Sequence, residues 1–260
     1  MTEWNASEYA RLSALQAAMA EEVLSLINLR GTETVLDIGC GNGKISAEIA
    51  ARVPQGRVVG VDASAKMIAF ADEHAAAYSN VEFAVADARH LTFKQEFDLV
   101  VSFNALHWVP EQGLALESIR AAIKPNGRAQ LRLVPKDKRK SLEDVINETR
   151  LSGRWERYFG GFRDPYLHLT QEEYSALAEQ HGFRVLYVQT GDKSWDFQSR
   201  AAFASFGSVT FVEWTQHLPE AARIDFVNDA LDRYREVACT RSGEEDFFRF
   251  YQMDIALSPV

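Results

Sequence analysis

Residues 35–43 read VLDIGCGNG, an apolar run that stops on an acid and then breaks into glycines at 39, 41 and 43. Glycine gives up backbone order, so such a cluster marks backbone that must bend or be approached closely. TVLDIG has the length and apolarity of a buried strand, and ISAEIAARV beyond the loop has the period of a helix. Strand, glycine loop and helix together open a parallel α/β sheet.

The pattern continues outward. RVVGVD reads as a second strand, Ser64 as the cap of the helix AKMIAFADEHAAA, and VEFAVAD as a third strand. FDLVVSFNAL is a fourth, LALESIRAAI a helix, and GRAQLRLV a fifth strand after the turn KPNG. Near-continuous apolar strands joined by helices call for right-handed crossovers and a sheet covered on both faces. After Leu133 the pattern changes. PKDKRK (135–140) reads as a solvated loop and SLEDVINETRL as a helix. Thr170 and Glu173 form a capping-box pattern ahead of a helix that ends at Gly182. FRVLYVQT is a strand. Ala201 to Thr240 reads as two or three aromatic-rich helices, and DFFRFYQMDIAL alternates like a last strand. A first helix, Ser7 to Leu29, carries a stripe through Leu12, Leu15, Met19, Val23 and Leu26.

With 260 residues, 47% of them hydrophobic, the chain can bury a sizeable core. A net charge of −9 argues against a protein built to grip a phosphate backbone. The two cysteines, Cys40 and Cys239, form neither a disulfide framework nor a zinc spacing. MTEWNASEYARL has no apolar core of a leader, and no window is long and apolar enough to span a bilayer. The expectation is a soluble cytoplasmic protein, monomer or homodimer, with no metal, nucleic-acid or membrane partner.

In an open parallel sheet, ligands sit beyond the carboxyl ends of the strands. Gly39, Gly41 and Gly43 are one residue tighter than a dinucleotide fingerprint, and Asp37 precedes them. An acid there faces a phosphate badly but suits an ammonium. Asp62 ends the second strand and can take two ribose hydroxyls; Asp87 ends the third and can accept from an exocyclic amine. Ribose, adenine amine, ammonium and no phosphate describe S-adenosylmethionine better than a nicotinamide dinucleotide.

Residues from Val35 to Val134 resemble the class I S-adenosylmethionine-dependent methyltransferases: VLDIGCGNG is similar to their first motif, GVDAS to their ribose acid, VADA to their adenine segment and FDLVVSFNALHWV to their fourth motif. The resemblance implies a Rossmann-like, mostly parallel seven-stranded sheet with an antiparallel last strand and a helical cap. It implies S-adenosyl-L-methionine as cofactor, leaving S-adenosyl-L-homocysteine. Gly39, Cys40 and Gly41 would lie against it, Asp37 serve its amine, Asp62 with Ala63 its ribose, and Asp87 with Ala88 its adenine, with Ser102 and Phe103 beside it. The implied divisions are a lid helix over 1–30, a cofactor core over 31–134, a helical cap segment over 135–181, and the last two strands over 182–260 with a helical insertion at 198–241.

WNASEY resembles the trans-aconitate methyltransferases; SALQ, ALHWV and RDPYLHL resemble the juvenile hormone acid methyltransferases. In the second group the residues matching Gln16 and Trp108 hold the substrate carboxylate with N–H donors. A carboxylate is already ionised at neutral pH and needs alignment, not a base. The aromatic cap suits a small, partly apolar acceptor. SFNALHW lacks the turn that accompanies amino methylation of bases, and Asn104 does not replace it. His107 keeps a second reading open, as general base for a phenol, an amine or a carbon acid. His168 and His181 read as structural or surface residues. A third reading is a protein that holds the cofactor without turnover, and a remote fourth is a nicotinamide dehydrogenase.

Overall fold

The computed structural model describes residues 14–75 and 78–260. Seven strands form one sheet: β1 (34–38), β2 (57–62), β3 (81–85), β4 (97–103), β5 (123–133), β6 (183–196) and β7 (247–259). Their order is β3-β2-β1-β4-β5-β7-β6. β1 to β5 pair in parallel, whereas β7 runs antiparallel to both β5 and β6. β1 and β4 are neighbours, with Val35 beside Leu99 and Asp37 beside Val101. The chain winds outward from β1 to β3, then returns to the other side of β1 as β4. The strand order therefore reverses beside the glycine loop, where an open sheet leaves a crevice.

Among the described residues, α1 (14–26), α2 (44–52), α3 (65–74), α4 (112–122) and α6 (171–180) cover the sheet; α5 (142–150), α7 (200–210), α8 (212–215) and α9 (220–238) build the cap. Local chemistry sets the helix starts. Ser64 Oγ accepts the Met67 N–H ahead of α3, and Ser141/Asp144 and Thr170/Glu173 close capping boxes ahead of α5 and α6. The first helix ends at Leu26 rather than Leu29; residues 7–13, with Leu12, lie outside the described residues, as does the Leu15 side chain.

The last two strands are longer than the sequence suggests. FRVLYVQT reads as the strand, yet β6 continues beyond it to Asp196, paired with β7 as far as Phe247. β5 stops at Leu133, opposite Met253, so the β6–β7 ribbon projects beyond the sheet. Its buried face carries Phe248 and Phe250 into the cap core beside Trp214, Phe203 and Tyr234, while Met253, Ile255 and Leu257 on the same strand fill the sheet core. The alternation that makes β7 a strand thus supplies two cores at once.

Candidate functional site

The glycine loop is tied to β2. The Gly39 and Cys40 N–H groups both donate to the Val61 carbonyl, at 2.8 and 3.1 Å. The Gly41 N–H donates to Asp62 Oδ2 and the Ser64 N–H to Oδ1, each at 2.9 Å. Two backbone amides therefore orient the carboxylate that ends β2. Gly39 has φ 73°, and a Cβ there would stand 2.1 Å from that of Ala105, so loop and β4 end in close contact. Gly41 (φ 54°) differs: a Cβ there would meet nothing within 4 Å, beside open space. It is a cradle that a side chain would fill, as expected where a ligand lies on bare backbone.

Two cavities adjoin this loop. One, of about 350 Å³, lies among Asp62, Ala63, Ser64, Ala86 and Ala88, at the ends of β2 and β3. The other, of about 220 Å³, runs under the cap between Phe206, Phe211, Trp214 and Phe250. They share Gly39, Gly41, Phe103, Asn104 and Trp108. A space walled by Asp62, Ser64 and small apolar residues and a second, aromatic space thus meet at the glycine loop. Asn104, at that junction, takes the left-handed conformation (φ 57°), which asparagine tolerates better than most residues.

Of the sequence-predicted residues, Gly39, Gly41, Asp62, Ala63 and Ala88 line the cavities, as do Cys40, Phe103, His107 and Trp108. Asp37, Ser102 and Asp87 do not appear in either wall. Asp37 is buried and takes a 2.6 Å hydrogen bond from Ser46 Oγ. Burial raises its pKa to about 6 despite that bond, and the nearby Asp62 charge pushes the same way. Ser102 Oγ donates to the Ile38 carbonyl at 2.8 Å, joining β4 to β1. Asp87 caps the 88–90 turn and is held by the Arg89 guanidinium at 2.6 Å, which keeps its carboxyl below the ordinary range. Cys40 is buried, and burial pushes its thiol up, so it is inert filler. Gln16 falls on α1, and its side chain lies outside the described residues.

His107 is buried in the turn after β4. Burial, with the His168 ring beside it, pushes its pKa well down, so the ring is neutral. The Val134 N–H donates to its Nδ1 at 3.5 Å. With Nδ1 accepting, the ring proton belongs on Nε2. Its carbonyl accepts from the Leu167 N–H at 2.8 Å, holding the 165–168 segment against the site. His168 packs between His107 and Tyr166, closer to the site than a surface role would put it. His181 pairs with Glu117 at 3.2 Å, away from the cavities. No separate signal marks Asn104 as a wall residue, nor Glu143, Thr210 and Glu213, which reach the cavities only because the cap folds back over the sheet.

Residues 35–127 match the family model of a methyltransferase domain. Protein 235L of Invertebrate iridescent virus 6 is 27% identical over 89% of this chain and 85% of its own length. The trans-aconitate 2-methyltransferase of Deinococcus radiodurans is 28% identical, over 95% of each chain. The YcgJ protein of Bacillus subtilis superposes with a TM-score of 0.65 at 18% identity, over 94% of this chain and 99% of that one, a likeness of fold. The methyltransferase domain, the sheet with its antiparallel β7 and these matches identify the chain as an S-adenosylmethionine-dependent methyltransferase whose fold and motifs resemble the class I enzymes and, among them, the trans-aconitate methyltransferases.

Proposed function

We propose that the enzyme methylates a carboxylate on a small, partly apolar molecule. The observation that carries this reading is His107: buried, neutral, accepting the Val134 N–H at Nδ1, and set in the cavity wall beside Trp108. Such a ring offers Nε2–H, a donor for an anionic acceptor, rather than a lone pair for a base. The aromatic wall supports an apolar body, and the name of the Deinococcus radiodurans relative supports a carboxylate.

The residues present fit the cofactor. The bare edge of Gly41 takes its close approach; Asp62, Ala63 and Ala88 wall the nucleoside space, and Phe103 flanks it. Asp37, behind the loop, favours a cationic group through its charge. Asp87 acts by shaping the turn that carries Ala88, since Arg89 occupies its carboxylate. When bound, S-adenosylmethionine supplies an electrophilic methyl group. Trp108 and His107 orient the carboxylate with N–H donors, and the cap aromatics exclude water. No proton has to be removed.

The test is a screen of acids, phenols and amines with methyl-labelled cofactor, followed by mild base. A base-labile methyl ester is the expected product. Base-stable product from a phenol or amine, with acids inert, overturns the reading in favour of His107 as a base.

A further inference from the structure

The cap side of the aromatic cavity holds one acidic side chain, Glu143, in the first turn of α5. Several polar groups around it are spent on each other, whereas both ring nitrogens of the adjacent His168 make no hydrogen bond among the described residues. Asp144 closes the α5 capping box and accepts the Tyr166 hydroxyl at 3.0 Å. Trp214 Nε1 donates to Asn147 Oδ1 at 2.8 Å, and Asn147 Nδ2 donates to the Tyr166 hydroxyl at 3.1 Å. The Thr210 hydroxyl donates to the Phe206 carbonyl at 2.9 Å. The Glu143 carboxylate makes no hydrogen bond or ion pair among the described residues. Its charge nevertheless bears on the ring beside it: burial pushes the His168 pKa down, and Glu143 with Asp144 opposes that push.

Glu143 is half-buried in that wall, and its carboxylate stands open to a donor on a ligand. Lys44, the one cation in this wall among the described residues, opens α2 just after the glycine loop and is exposed. The cavity is therefore ill suited to an acceptor with several carboxylates, although a relative of this chain bears the name of a tricarboxylate methyltransferase.

We propose that Glu143 is a specificity-determining residue that accepts a hydrogen bond from a hydroxyl or ammonium group on the acceptor, remote from the carboxylate that is methylated. The substrate class is an apolar monocarboxylic acid with a donor group toward its far end. Glu143 also repels the carboxylate from the cap, so the acid enters with the correct end toward the glycine loop. The inference rests on the carboxylate reading for its chemistry, but not for its binding.

The test compares decanoic, ω-hydroxydecanoic and ω-aminodecanoic acids, with citric acid as a polyanion. Two readouts are taken: kcat/KM, and calorimetric binding to the protein loaded with S-adenosylhomocysteine. The wild type is expected to favour the hydroxy and amino acids over decanoic acid by about tenfold or more, the size of one charged hydrogen bond, and to leave citric acid unmethylated. Glu143→Leu removes that preference in both readouts, and S-adenosylhomocysteine binding reports that the variant is folded. Glu143→Gln keeps the hydroxyl preference and loses the ammonium one, which covers the case of a Leu variant that fails to fold. Equal handling of the three acids by the wild type, or a preference that survives in both variants, overturns the role of Glu143 and leaves the carboxylate reading intact. Donor-selective binding without ester formation does the reverse.

Discussion

At the scale of single residues, two groups decide the chemistry. If His107 donates rather than accepts, His107→Gln, which keeps an N–H, retains part of the rate that His107→Ala loses. We expect kcat/KM to fall about a hundredfold in the alanine variant, the usual effect of removing one donor at a developing charge. Calorimetry should find S-adenosylhomocysteine affinity unchanged in both. Equal inactivation, with a pH profile gaining a new basic limb, would instead mark a general base. Asp37 makes a separate forecast. Its pKa is raised from 3.8 to about 6 by burial, so in the free protein it is ionised only above that pH. A cationic ligand group needs the ionised form. Affinity for S-adenosylhomocysteine is therefore full above pH 6 and falls as pH drops below it, by up to about tenfold per unit. Asp37→Asn should weaken binding and flatten that slope; a slope unchanged in the variant would assign it to another group.

At the scale of elements, the glycine loop separates folding from binding. Gly41→Ala adds a side chain where nothing stands within 4 Å, at a left-handed φ that costs about 1 kcal/mol. The variant should melt within a few degrees of the wild type yet lose cofactor binding. Gly39→Ala drives a methyl into Ala105 and should lose both. A Gly41→Ala protein that binds normally would move the cofactor off this loop. This part of the site was legible in the sequence because it is local: VLDIGCGNG and the acids after β2 and β3 declare themselves within a few residues. Asp87 was legible as a position but not as a group, since only the fold shows Arg89 closing on it. The cap wall was illegible for the opposite reason. Glu143 lies in a polar first turn that reads as solvated surface, and Phe250 on a strand whose length was hidden. FRVLYVQT reads as the whole strand, but pairing with β7 keeps the chain extended through GDK and on to Asp196.

At the scale of the whole molecule, cap and sheet are not separable bodies. β7 gives Phe248 and Phe250 to one core and Met253, Ile255 and Leu257 to the other. Thermal or urea unfolding should show a single transition by fluorescence and by far-ultraviolet dichroism alike. Phe250→Ala, which opens a hole in the cap core, should shift that transition as a whole, by about 3–5 kcal/mol. An early phase confined to the tryptophan signal would mean that the cap melts alone. The projecting ribbon also has a consequence for how such a pocket diversifies. Residues on a strand alternate between faces, so lengthening both arms by two residues deepens the aromatic chamber while every ring still points inward. Adding one turns the rings to solvent. Drift in chamber depth should therefore come in even steps, and relatives with a longer β6–β7 ribbon should differ from this chain by pairs of residues in each strand.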